Sequence, residues 1–354
     1  MSKTLSIVIP VYNPPMDRFY NCINSIKTQF DVNEMELIIV DDVSPSKEYL
    51  SLLQQMRMEF KLILNEKNIR QGMSRQKGIQ EAEGKYVTFM DQDDIFIPES
   101  LNQVVQRLKE MPETNLLYQT LSMVEGSMNG SGYQRYFDDQ LHGNYYRIEK
   151  LKEYDIHFSD RLQESSEDTF FMAIIAMVLQ HYAETVPDML IQDSYPSYVW
   201  FLWPDSVSHK EENSSKNALS YFERTSWDYY LSHIMTMEYY RDNFSNIEDS
   251  PKNDEFLIVR GMFLTIMAYL NMEEFCYMYP ERDGSIFREN TFKFMDWLSK
   301  FLDMPYDEML KRIKQDPNMY TESFVRHVER LGPICPDKSI SFFLEECTSY
   351  THFS

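Results

Sequence analysis

The stretch YVTFMDQDDIFIP, from Tyr86 to Pro98, drives five residues of strand character into three carboxylates, Asp91, Asp93 and Asp94. In an extended segment alternate side chains share a side, so Asp91 and Asp93 are expected together, with Gln92 and Asp94 opposite. Two carboxylates about 4 Å apart repel by roughly 4 kcal/mol at an effective dielectric near 20. A divalent cation between them, or between one of them and a phosphate, removes that penalty. Mg2+ and Mn2+ suit hard oxygen ligands and keep positions open for phosphate oxygens. The same acids also fit a solvated turn, or a helix cap in which Asp94 serves the helix opening at Pro98. A second acidic group, ESSEDTFF from Glu164 to Phe171, sets Glu167 and Asp168 beside Ser165 and Ser166. Read alone it is a helix start, a serine capping and acids in the first turn, where the helix dipole favours them.

The elements that must position these groups alternate over about the first 110 residues. LSIVIPV (Leu5 to Val11) is a continuous run, as a strand buried on both faces should be. Phe19, Cys22, Ile23 and Ile26 follow at helical spacing after Pro15. ELIIVDD (Glu36 to Asp42) and KLIL (Lys61 to Leu64) are two more strands, separated by Leu50, Leu53, Met56 and Phe60 at helical period. A helix over about Gly72 to Ala82 ends at Gly84, YVTFM follows as the fourth strand, and Pro98 opens a helix carrying Leu101, Val104, Val105 and Leu108. This alternation predicts an α/β fold with a mainly parallel sheet, whose ligands collect at the carboxyl ends of the strands. Each of the four strands ends in polar groups: Tyr12 and Asn13, Asp41 and Asp42, Asn65 and Asn68, Asp91 and Asp93.

Further on, NLLYQTLSMV reads as a strand, EGSMNGSGYQ as a loop, Asp168 to His181 as an apolar helix and SYVWFLW (Ser197 to Trp203) as another strand. The texture then turns to long helical patterns rich in Met, Tyr and Phe, such as Glu255 to Leu270 and Phe292 to Leu302. Two domains are expected, 1–214 and an all-helical 215–354 that serves acceptor docking, oligomerisation or as a structural cap.

Composition narrows the function. The 354 residues are 43% hydrophobic and 14% aromatic, enough for a substantial core. A net charge of −22 repels nucleic acid and anionic lipid headgroups as bulk partners, so an anionic ligand needs a local cation or a metal. Cys22, Cys276, Cys335 and Cys347 form no CxxC pair and read as reduced structural thiols. No run of about 18 apolar residues predicts a membrane span. The opening MSKTLSIVIPVYN lacks the apolar core and cleavage site of a signal peptide. A cytoplasmic protein is expected, with peripheral attachment at the inner face of the membrane as the variant reading.

SIVIPVYN, ELIIVDDVSPS, NEKNIRQGMSRQKGIQEAEGKYVTFMDQDD and ESSEDTFF occur in that order. Together they resemble the family 2 glycosyltransferases of the GT-A fold, inverting enzymes that use nucleotide-diphospho-sugars, and within them bacterial enzymes that decorate surface glycans, teichoic acids or glycoproteins. The resemblance covers about residues 4–110 well, is patchy over 150–209 and is absent afterward. It implies a UDP-sugar donor and a Mn2+ or Mg2+ ion. It implies that Pro10, Val11 and Tyr12 pack on the uracil, that Asp42 (with Asp41 as the lesser choice) accepts from the base, and that Asn68 lies near the base and Arg75 near the diphosphate. It further implies that Asp91 and Gln92 lie near the ribose and sugar, that Asp93 binds the metal, and that Asp168 is the general base with Glu167 beside it.

WPDSVSHK (Trp203 to Lys210) supplies softer candidates: His209 as a further metal ligand, Ser206 and Ser208 toward phosphate, and Trp200 or Trp203 against a sugar ring. Two departures stand out. Gln92 fills a position where the family often has a small residue, and PSYVWFLWPD has no basic residue before its serines, which leaves the diphosphate to the metal and Arg75. A non-catalytic GT-A module that binds nucleotide-sugar is the competing reading. A nucleotidyltransferase would want a glycine-rich, basic loop where this chain has PVYNPP.

Overall fold

Leu5 to Val11 carries no charge, and it becomes an interior strand of the sheet. A computed structural model describes residues 3–125, 134–136, 141–163, 165–203, 221–244, 257–258, 260–261, 264, 285–305, 308 and 311–312. The chain divides into two compact units, Met1–Asn213 and Ser214–Ser354. In the first, strands β1 (Lys3–Val11), β2 (Met35–Asp41), β3 (Lys61–Leu64) and β4 (Gly84–Phe89) pair in parallel in the order β3-β2-β1-β4. Helices α1 (Met16–Lys27), α2 (Glu48–Gln55), α3 (Arg70–Glu81) and α4 (Ser100–Glu110) follow β1 to β4, with the two-residue β5 (Ile95–Phe96) before α4. The sheet then turns mixed: β8 (Asn144–Arg147) is antiparallel to β4 and to β6 (Leu117–Glu125), and β9 (Leu190–Phe201) runs parallel to β6 and antiparallel to β5. The short β7 (Gln134–Tyr136) pairs with β6, and the helices α5 (Ile148–Glu153) and α6 (Glu167–Tyr182) complete the unit.

The odd residues of β1, Leu5 to Val11, join Phe19, Cys22, Ile23 and Ile26 of α1 and Leu101, Val104, Val105 and Leu108 of α4 in one core. Each such side chain contributes about 1.5–3 kcal/mol by leaving water. On the opposite face Val8 meets α3 at Gly78. An added methyl there would overlap Val8 Cγ1 and lie 2.8 Å from Cγ2. Since β1 is flanked by parallel partners on both sides, it has nowhere to retreat. Gly78→Ala is therefore expected to destabilise the first unit by about 1–3 kcal/mol in a denaturant melt, and adding Val8→Ala should restore part of the loss. An unchanged midpoint in the single variant would show that the strand and helix can separate.

Gly84 departs from the sequence expectation. Helix α3 ends at Glu81 with an extended Ala82, and Gly84 opens β4. Its reason is close approach: a Cβ there would lie 2.5 Å from Ser6 Oγ and 2.7 Å from Ser6 N. Asp94 departs too, since it sits five residues before the N-cap position of α4 at Glu99 and its carboxylate bonds elsewhere.

The described residues of the second unit are helical, chiefly α7 (Tyr221–Asn243) and α8 (Ser285–Phe301), joined by Tyr230 stacked on Phe294 and bonded to Thr291. Among the described residues no helix is long and apolar enough to cross a membrane.

Candidate active site

Strand order reverses between β1 and β4, because β2 and β3 lie on one side of β1 and β4 on the other. The crevice of such a sheet opens where these carboxyl ends diverge. Tyr12 ends one wall and Asp91 the other. Gln92 bridges them: Tyr12 N donates to Gln92 Oε1 at 3.0 Å, and Gln92 Nε2 donates to Tyr12 O at 3.3 Å. The unusual glutamine is thus spent on the backbone of β1.

The alternation expected for the acids is broken by a turn, in which Asp94 N donates to Asp91 O at 3.3 Å. Asp91 therefore groups with Asp94 and not with Asp93. Tyr198 donates to Asp94 Oδ2 at 2.7 Å, and the Phe201 amide to Asp94 Oδ1 at 2.9 Å. His142, which sequence reasoning missed, completes the group. Its ring stacks on Tyr198 and tilts on Trp200, and its Nε2 lies 4.0 Å from both Asp91 Oδ2 and Asp94 Oδ2. One ligand atom from each of the three falls within 4.8 Å of the others. For Asp93 the structure gives a carbonyl that accepts from Trp203 Nε1 at 3.3 Å.

The electrostatics of the pair are lopsided. Burial opposes ionisation of Asp91, but the Arg75 charge and then His142 hold its carboxyl well below the usual carboxylate range. Burial, and then the Asp91 charge, push Asp94 up to about 8. A carboxyl whose ionisation is opposed by burial and by a neighbouring carboxylate is a place where added positive charge is welcome. Both acids retain unused acceptor lone pairs, and two carboxylates with an imidazole are ligand types that divalent ions accept. The residues fit a divalent ion.

Arg75 joins this cluster to the second acidic group. From α3 its Nη2 donates to Asp91 Oδ1 at 2.8 Å and its Nη1 to Glu167 Oε1 at 3.4 Å. Gln71 donates to the same Asp91 oxygen at 2.8 Å. Glu167 and Asp168 form the first turn of α6, which Phe171 anchors by stacking on Phe158 and meeting Phe89 of β4 edge-on. Burial, then the Asp168 charge, raise the Glu167 carboxyl above its ordinary value, with Arg75 pulling the other way. Asp168 accepts from the Thr169 amide at 2.8 Å.

The other expected donor contacts lie along the same crevice. Pro10 and Val11 are buried, while Tyr12 is 54% exposed. Asp41 is fully buried and accepts from Lys47, Tyr49 and the Ser44 amide. Asp42 accepts from Asn65 Nδ2 at 2.9 Å, Ile69 N at 2.8 Å and Arg70 N at 2.9 Å, which uses three of about four acceptor positions. Exposed Asn68 donates to the Asp42 carbonyl at 3.3 Å. Trp203 has Arg18 over one part of its ring and Phe201 stacked against it, so it is packed rather than presented. His209, Ser206 and Ser208 lie outside the described residues.

A parallel β3-β2-β1-β4 sheet extended by antiparallel β8, with acids on its switch-point crevice and a second carboxylate pair on a helix start, is the architecture of a GT-A transferase. The chain belongs to glycosyl transferase family 2, whose model matches residues 6–182. It is similar to an uncharacterized glycosyltransferase of Methanocaldococcus jannaschii, 27% identical over 157 residues, 44% of this chain and 52% of that one. It also resembles the GalNAc(5)-diNAcBac-PP-undecaprenol β-1,3-glucosyltransferase of Campylobacter jejuni, 33% identical over 110 residues, 30% of this chain and 35% of that one. Poly(ribitol-phosphate) β-N-acetylglucosaminyltransferase TarS of Staphylococcus aureus is 24% identical over 182 residues, 47% of this chain and 31% of that one. The matches span about half, or less, of these relatives' own length. The crystal structure of TarS 1–349 in complex with UDP-GlcNAc aligns with a TM-score of 0.48 at 16% identity, over 86% of this chain and 93% of that one.

Proposed function

We propose that the enzyme moves a sugar, with inversion, from a UDP-sugar to a hydroxyl of a bacterial surface glycan, teichoic acid or glycoprotein. The observation that carries this reading is the Arg75 bridge, which sets the first turn of α6, with Glu167 and Asp168, against the acidic end of β4. One acidic group thereby serves the donor and the other the acceptor. The family resemblance supports the uridine diphosphate, and the relatives named for an undecaprenol-linked glycan and for poly(ribitol-phosphate) support the acceptor class.

In this reading Asp168 takes the proton from the acceptor hydroxyl. The hydroxyl oxygen forms its bond to the anomeric carbon on the face opposite the diphosphate, and the bond to the diphosphate oxygen breaks, so that UDP leaves with the electron pair. Asp91, Asp94 and His142 would hold Mn2+ or Mg2+, which when bound neutralises charge on the departing diphosphate. Val11 and Tyr12 at the end of β1, Asp42 at the end of β2 and Asn68 between β3 and α3 would seat the nucleoside. Gln92 keeps β1 and the acidic turn in register.

The test is UDP release from UDP-Glc, UDP-Gal, UDP-GlcNAc and UDP-GalNAc with and without Mn2+. One of the four is expected to release UDP in a Mn2+-dependent way. Binding of a donor with no release from any of them would replace the transferase mechanism with that of a nucleotide-sugar-binding module.

A further inference from the structure

We propose that Arg75 is a positioning residue: it fixes the base-bearing first turn of α6 to the donor-side turn, rather than gripping the diphosphate. This deepens the reading above and rests on it for the identity of the base. Arg75 is 4% exposed and divides its terminal nitrogens between two carboxylates, one following β4 and the other opening α6. A guanidinium serving one anion would set two parallel N–H groups on it. Here Nε, also buried, has no hydrogen-bond partner. A buried donor left unmet is unfavourable, so the fork is held where it spans the two acids rather than where its own bonding is best.

Three further features place the same requirement on α3. Gly72, one turn before Arg75, seats Glu167, since a Cβ there would lie 2.7 Å from Glu167 Cγ and 2.8 Å from its Cβ. Gln76 accepts from the Phe158 amide at 2.9 Å and so holds the segment leading toward α6. The start of α6 is weakly fixed by its own cap, because Ser166 has φ +65° and makes no side-chain capping bond. Phe171 secures the helix one turn further in, but the orientation of Glu167 and Asp168 falls to Arg75 and Gly72. Attack geometry is sensitive to this, since a displacement of about 1 Å can cost about 100-fold in rate.

Arg75→Lys tests the idea, because a single ammonium on a flexible stem does not span two carboxylates. Transfer kcat is expected to fall about 100-fold, while the donor KM changes less than about threefold. Gly72→Ala should give the same split from the other side of the contact. Hydrogen exchange of the Phe170 and Phe171 amides, the former bonded to Ser166 O, should quicken in both variants while β1 stays protected. A donor KM that rises while kcat holds would return Arg75 to the diphosphate and overturn the proposal, and so would unchanged exchange at Phe170 and Phe171. Should the wild type turn over no donor, the transferase reading fails, and the exchange measurement still decides the positioning claim.

Discussion

Asp168→Asn is expected to keep donor affinity and lose transfer, with kcat down by about 10²–10⁴. Asparagine preserves the shape of the side chain and the oxygen that accepts from the Thr169 amide at 2.8 Å, so the start of α6 should fold as before. It removes the proton acceptor and one negative charge, and it leaves the Arg75 contacts to Asp91 and Glu167 in place. Calorimetry with a UDP-sugar should therefore read the wild-type dissociation constant, while single-turnover transfer collapses. Glu167→Gln is the necessary companion. Glu167 is paired with Arg75, which occupies its carboxylate, while burial and the Asp168 charge raise that carboxyl above its ordinary value. If transfer survived Asp168→Asn and vanished in Glu167→Gln, the two roles would exchange.

How far these assignments were legible depends on what fixed each residue. β1, β2 and β4 were readable because a strand buried on both faces needs a largely apolar run, as in Leu5 to Val11 and Leu37 to Val40, while the half-buried β3 was legible only as the short run Leu62 to Leu64 between two helical patterns. β8 was not readable, because Asn144, Tyr145, Tyr146 and Arg147 look like loop residues and yet are all buried. Arg147 tolerates burial by donating to the Asn115 and Pro112 carbonyls, Tyr86 Oη and Glu113. The two-residue β5 is too short to carry a period. The acids themselves were found, but their partners were not. A two-residue period assumes extended backbone, and the Asp91–Asp94 turn replaces Asp93 with Asp94 in the cluster. His142 lay beyond sequence reasoning for a topological reason: only the pairing of β8 with both β4 and β6 carries the residue before Gly143 back over Asp91, some 50 positions away. Arg75 was identified as the cation that matters, yet its two carboxylate partners were visible only once α3 and α6 were seen side by side.

That regrouping of the acids leads to the second large effect, in Asp91→Asn. The substitution withdraws a ligand from the Asp91–Asp94–His142 group and the closer of the two carboxylates on Arg75. Removing even a supporting partner of a metal site costs about 10- to 100-fold in affinity, so the Mn2+ needed for half-maximal UDP release should rise by at least that factor. The Arg75–Asp91 pair is part-buried, so its loss leaves the buried guanidinium with one carboxylate fewer, and a lower melting midpoint should accompany the change. His142→Ala separates the two losses, because it takes a ligand and leaves the Arg75 pair alone. It should raise the Mn2+ requirement, with a change in the melt that reflects only the lost ring packing on Tyr198 and Trp200, and the bound-Mn2+ signal in paramagnetic resonance with UDP present should weaken in parallel. His209→Ala and Asp93→Ala carry the other arrangement, the one expected from the motif. If those two variants lose Mn2+ while His142→Ala binds it as the wild type does, the ion belongs to Asp93 and His209. The imidazole stacked on Tyr198 and Trp200 would then serve only to shape the crevice around Asp91.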